Sequence, residues 1–356
     1  MLKILALLTS LPLLAAAATP AVLLVLAKSD QTISIVDPTT LKVLGRAPSG
    51  QDPHEVVASA DGKFAYISNY GGGAYNTISV IDLVERKALA PIDLGPLRGP
   101  HGLYYAGGKL WFTAEANKVI GSYDPASKKV DWVLGTGQNR THMIWVSDDM
   151  KKMITTNVSS ATMTFIEKSS GGGAGGPRPG GGPQGAPPNG PPPSGAPNGP
   201  PRGSPQGDWD ETIIAVGRGA EGFDVSPDGK ELWAANAQDG TVSVIDIAAK
   251  KVTDTLAANV SGANRLKFTP NGKLVLVSTL RGSDLTIIDA ATRKEVKRLK
   301  IGRGAAGIQM QPDGVQAYVA CTPDDYVAII DLKTLEVVGH IDAGKQPDGM
   351  AWVAAR

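Results

Sequence analysis

Ser34-Ile35-Val36-Asp37, Ser79-Val80-Ile81-Asp82 and Ser243-Val244-Ile245-Asp246 are three copies of one short string, and their spacing decides the fold. Looser copies stand at Gly121-Ser122-Tyr123-Asp124, Thr164-Phe165-Ile166-Glu167, Thr286-Ile287-Ile288-Asp289 and Ala328-Ile329-Ile330-Asp331. Their last residues fall at 37, 82, 124, 167, 246, 289 and 331, a period of 42 to 45 residues outside one insertion. That period suits one four-stranded blade of a β-propeller.

Each unit keeps one order of strands. An innermost strand ends in a turn such as Ser226-Pro227-Asp228-Gly229 or Thr269-Pro270-Asn271-Gly272. Asp-Gly and Asn-Gly pairs accept positive φ and are the strongest short-range hairpin signal. A second strand follows, as in Phe64–Asn69 or Ala317–Ala320; the Ser-Val-Ile-Asp strand is the third, and a fourth resembles Glu336–Ile341. Seven units predict an all-β, seven-bladed propeller of four-stranded blades. The chain enters at a second strand, Leu23–Ala27, and leaves at an innermost one, Gly349–Val353. The two ends therefore complete one blade together, which removes the open edges that invite aggregation.

The Ser-Val-Ile-Asp strands, the Pro-Asp-Gly turns and second strands such as Tyr66-Ile67-Ser68-Asn69 resemble the YVTN-repeat family of β-propellers. The resemblance covers nearly all of the chain except the first residues and the insertion. It implies the fold; a family defined by its scaffold implies no activity. Propeller lactonases and streptogramin lyases have a similar architecture, but none of their catalytic motifs carries over to this chain residue by residue.

The remaining features bound the function. Lys3, the apolar run Ile4–Ala17 and the small residues Ala16-Ala17-Ala18 read as a secretory signal cleaved after Ala18, so residues 1–18 are expected to be removed and 19–356 to form one propeller. The expected location is periplasmic or secreted, with no membrane span after cleavage. Ser170 to Gly207 is a Gly/Pro tract with no apolar side chain larger than Ala or Pro, and it reads as a disordered insertion within blade four. Lys+Arg number 35 and Asp+Glu 34, which gives no electrostatic reason for a nucleic-acid partner. Cys321 is the only cysteine, so neither an intrachain disulfide nor a cysteine metal cluster can form, and it reads as a packed residue. There is no phosphate-binding glycine loop and no nucleophile elbow.

The residue that opens each innermost strand should face the mouth of the central channel. Round the ring these are His54, His101, His142, Glu221, Asn264, Ala306 and Asp348. Three consecutive blades thus place a histidine at one repeat position, and three imidazoles with an open coordination site suit copper, zinc or iron. Glu221 and Asp348 flank them as further ligands or a general base. Neutral imidazole is the ligand form, so binding should weaken below about pH 6.5. Three residues before these positions stand Gln51, Arg98, Asn139, Arg218, Ser261, Arg303 and Lys345, with Arg140 beside Asn139. Such a cationic ring points to an anionic ligand held by Arg98, Arg140, Arg218, Arg303 and Lys345. The sequence thus supports a monomeric cell-envelope binding or scaffold protein, holding a small anion or another envelope protein on this face. A metal-dependent enzyme at the channel mouth, lactonase- or lyase-like or an oxidoreductase, is the alternative.

Overall fold

The aspartate that ends the repeat string has a local job. In a computed structural model, which describes residues 20–169 and 209–356, a carboxylate oxygen of Asp37, Asp82, Asp124, Asp246, Asp289 or Asp331 accepts a backbone N–H two or three residues on. This folds the chain back into the fourth strand. Blade four carries Glu167 instead, which pairs with Lys152 (3.4 Å) and Lys250 (2.5 Å). The serine of the string also has a partner. Asn69 and Asn236, at the ends of second strands, donate from Nδ2 to Ser79 and Ser243 at 2.9 Å. Asn157 does the same to Thr164.

Seven sheets result. In blade one, Pro347–Val353 pairs with Val22–Ala27, with Val22 opposite Val353 and Leu24 opposite Ala351. Thr32–Val36 and Val43–Pro48 complete it. The ends of the chain close the ring as expected. Blades two to seven follow in chain order, with innermost strands Pro53–Ala58, Pro100–Ala106, Thr141–Val146, Ala220–Val225, Ala263–Phe268 and Ala305–Met310. Blade two departs from the pattern: its outer strand is split into Lys87–Ala88 and Ile92–Asp93, on either side of Pro91. Proline has no N–H for the ladder and interrupts the pairing.

The core lies between blades. Residues 23–27 are wholly buried, and their alternation divides them between two neighbours. Leu23 and Val25 pack with Tyr318, Val327 and Ile329 of blade seven. Leu24 and Leu26 pack with Val56 and Ile67 of blade two. Ring residues on second strands also reach across blades: Tyr66 stacks on Tyr105 at 5.8 Å, and Trp233 meets Phe268 edge-on at 5.6 Å. Cys321 is buried, and burial pushes its thiol up to about 12.

At the centre the blades approach closely. A Cβ added to Gly102 would overlap the His142 carbonyl oxygen, and one on Gly349 would overlap that of His54. Gly102→Ala is therefore expected to force the blade-three and blade-four strands apart, at a cost of about 1–3 kcal/mol for overpacking. Chemical denaturation would read this, and an unchanged midpoint would show that the interface can yield.

The sequence-based expectations for residues 1–18 and 170–207 fall outside the described residues. Among the described residues no helix is long and apolar enough to cross a membrane.

Candidate metal centre

Two repeat positions build the mouth of the channel. One is the second residue of each innermost strand, His54, His101, His142 and their equivalents, which the sequence placed at the strand's opening. The other lies one residue past each second strand and is fixed by one recurring backbone hydrogen bond. Lys28, Tyr70, Glu115, Val158, Ala237, Leu280 and Thr322 each donate N–H to the carbonyl of Gln346, Asp52, Gly99, Arg140, Gly219, Gly262 or Gly304. Those seven acceptors all have positive φ, and four are glycines. Asp52 (φ 44°), Arg140 (φ 58°) and Gln346 (φ 54°) hold the same left-handed conformation with a side chain attached. For a non-glycine this costs about 1–2 kcal/mol. Asp52 and Arg140 both turn that side chain to the channel mouth.

The three histidines converge. Ring centroids lie 4.5 Å apart for His54 and His101, and 3.6 Å for His101 and His142. His101 and His142 are about 1% exposed and Glu115 is 7% exposed. One ligand atom from each of His101, His142 and Glu115 lies within 4.8 Å of the others. His54 stands next in the ring, half-buried, with its Nδ1 accepting from Lys28 Nζ at 2.6 Å. Glu115 thus joins the group by contributing a carboxylate oxygen.

Charged partners hold the group in place. His142 Nδ1 donates to Glu115 Oε1, and its Nε2 lies 2.7 Å from Glu221 Oε2 without good hydrogen-bond alignment. Tyr70 donates its hydroxyl to Glu115 Oε2 at 2.5 Å. Arg140 spans both acids, 3.7 Å from Glu115 and 3.3 Å from Glu221. On the other side Lys28 sits 3.1 Å from Asp52 and 3.2 Å from Asp348. His101 Nδ1 is buried with no hydrogen-bond partner. Such an orphaned nitrogen carries a desolvation cost unless something fills the space before it.

The three imidazoles differ in proton affinity. Burial, with Lys28 and Arg265 nearby, holds His54 well below the ordinary histidine value. Burial and the neighbouring imidazoles do the same to His101. Burial also opposes a charge on His142, but Glu221 and Glu115 outweigh it and raise its pKa to about 9. From the ordinary histidine value near 6.5, His54 and His101 are thus shifted down and His142 up. Burial pushes the Asp348 carboxyl up, although Lys28 and Arg265 oppose it.

The structure brings together His54, His101, His142, Glu221, Asp348 and Arg140. The remaining cations of the expected ring stand apart. Arg218 and Arg303 side chains are 72% and 71% exposed and donate to Asp239 and Asp324 of adjoining loops. Arg98 and Lys345 are exposed. Asn264 is buried beside Arg265, whose Nη1 donates to the Asn264 carbonyl, and Ala306 offers no ligand atom. Arg265 reaches across the channel to pair with Glu55, above a cavity of about 540 Å³ lined by all seven blades. Sequence reading missed Glu115, Tyr70 and Lys28 because it followed only the strand-opening position. The position after each second strand carries them and repeats with the same period.

The chain is a seven-bladed β-propeller. A family model described as a YNCE-like beta-propeller matches residues 205–312. No curated protein sequence matches the chain. Among solved structures, a functionally unknown protein from Desulfotomaculum acetoxidans is similar at 13% identity and TM-score 0.71, over 94% of this chain and 99% of that one. A Bacteroides fragilis protein provisionally named a 6-phosphogluconolactonase is similar at 15% identity and TM-score 0.71, over 96% and 99%. Dihydro-heme d1 dehydrogenase NirN, in complex with DHE, is similar at 15% identity and TM-score 0.59, over 92% and 74%. At these identities the likeness is one of fold.

Proposed function

We propose that this protein is an exported, monomeric binding protein of the cell envelope that holds a divalent transition metal at its channel mouth through His101, His142 and Glu115. One observation carries the reading: two imidazoles and a carboxylate, all buried, bring ligand atoms within 4.8 Å of one another. The orphaned His101 Nδ1 fits a missing ligand. Two histidines and a glutamate are a donor set for zinc, iron or copper. Tyr70 and Arg140 orient Glu115 from behind, as outer partners of metal ligands do. The N-terminal sequence supports export to the periplasm or medium, and the cations near the mouth support a small anionic ligand; another envelope protein docking on this face would use the same groups.

The same geometry favours a second reading. Three protein ligands leave a coordination position open, as catalytic metal sites do. Lys28, His54 and Asp348 supply polar groups beside the site. This is the case for a metal-dependent enzyme, lactonase- or lyase-like or an oxidoreductase, and turnover by the metal-loaded protein would separate it from simple binding.

Protein purified without an affinity metal column is expected to bind one equivalent of zinc or copper in a calorimetric titration. His101→Ala is expected to lower that affinity more than about 100-fold, beyond the effect of losing an outer partner. His340→Ala, on an outer strand, is expected to leave it unchanged. Absence of metal after purification, together with a flat titration, would refute the metal reading.

A further inference from the structure

The position after each second strand changes character round the ring. Blades one to three place Lys28, Tyr70 and Glu115 there, and blades four to six place Val158, Ala237 and Leu280. The second trio floors a cavity of about 210 Å³ on the same face, walled by Arg140, Arg281 and Glu221. Val158 is 4% exposed and Leu280 is 49% exposed, so the floor runs from interior to rim. The Arg281 side chain lies over Gly262, at whose left-handed backbone a Cβ would crowd it. Arg281 is exposed and has no acidic partner among the described residues.

Arg140 and Glu221 belong to both places. They line this cavity and also contact the metal group, Arg140 through Glu115 and Glu221, and Glu221 through His142. Among the residues that line the cavity, two guanidiniums face one carboxylate, Glu221. The mouth of the cavity thus carries net positive charge, over an apolar floor. An anion with an apolar body satisfies both; a cation or a fully polar solute satisfies neither.

We propose that this cavity binds a small organic carboxylate, its anionic head between Arg140 and Arg281 and its hydrocarbon body on Val158, Ala237 and Leu280. The proposal deepens the metal-binding reading, since it places a ligand against the metal group, but its contacts are made by side chains outside the metal ligands. Two guanidiniums favour a planar carboxylate over a compact point charge. A volume of about 210 Å³ equals roughly seven waters at about 30 Å³ each, enough for a short-chain acid.

The test is calorimetry on the full-length protein, zinc-loaded and metal-free, with hexanoate, acetate and hexylamine as probes. Hexanoate is expected to bind, acetate to bind more weakly because it lacks the body, and hexylamine not to bind. Arg281→Ala is expected to weaken hexanoate at least about tenfold, the loss of one charge-assisted hydrogen bond. Leu280→Asp is expected to weaken it while leaving zinc affinity unchanged. Equal affinity for hexylamine, or unchanged hexanoate affinity in both variants, would overturn the proposal. A flat zinc titration alongside hexanoate binding that depends on Arg281 would instead overturn the metal reading and leave the carboxylate cavity standing. Zinc binding with no hexanoate binding would do the reverse.

Discussion

A chain truncated after Lys345, lacking residues 346–356, is expected to form no stable ring. The lost segment includes the innermost strand of blade one, which pairs along Val22–Ala27 and packs between the innermost strands of blades seven and two. Met350, Ala351 and Val353 are buried, and their loss uncovers Leu23–Ala27, which are wholly buried in the intact protein. Each large apolar side chain returned to water costs about 1.5–3 kcal/mol, so several together reach about 10 kcal/mol. That is comparable with the whole stability of an ordinary domain, about 5–15 kcal/mol. The uncovered Val22–Ala27 edge would also offer an apolar, unpaired strand to other chains. The expected outcome is loss of a cooperative thermal transition by circular dichroism, with aggregation on size-exclusion chromatography. A monomeric truncated protein that melts cooperatively within a few degrees of full length would show that the ring does not depend on this joint.

His142→Ala is expected to have the largest effect among single substitutions at the site. His142 lies between Glu115 and Glu221, and its side chain is 2% exposed. Without it two carboxylates face each other in a buried setting with Arg140 as their shared cation. Breaking a buried ionic group by removing one partner costs about 3–5 kcal/mol. The variant should therefore lose metal and also melt well below the parent, even metal-free. His142→Gln, which restores a hydrogen-bonding side chain without the charge, should recover part of the stability and none of the proton dependence. Equal denaturation midpoints for parent and His142→Ala would mean that the two glutamates are not held by the imidazole.

The same group gives the metal-free protein a pH signature. The His142 pKa is raised from 6.5 to about 9 on folding, so its contribution is complete below pH 6.5 and is lost as pH rises through about 9. His54 and His101 are shifted the other way and must stay neutral to remain folded in place. Their contribution is present above pH 6.5 and is lost as pH falls below it. These three groups together favour a stability maximum near pH 6.5. In His142→Ala the alkaline limb should flatten and the acid limb should persist, which a denaturation series across pH would show.

Much of the fold was legible from one string. Ser-Val-Ile-Asp recurs because Asp caps a turn in six of the blades and Ser or Thr accepts from the Asn of the preceding strand in three, so the repeat is in large part a set of local hydrogen bonds. A fixed residue period then maps to a fixed angle round the ring, and this is why His54, His101 and His142 could be placed side by side. The ring closure was readable for the same reason: each end of the chain carried a fragment of one unit. Tertiary structure decided the chemistry. It brought Glu115 onto His142 from a loop 27 residues away in sequence, turned Arg140 inward, and left Arg218 and Arg303 on acids of adjoining loops. A period states where a backbone position lies, whereas a side chain's partner depends on rotamer, burial and the neighbouring charges. Those are set only when seven blades close around one axis, and they made His142 the member of the trio that holds its proton to about pH 9 while His54 and His101 are held neutral.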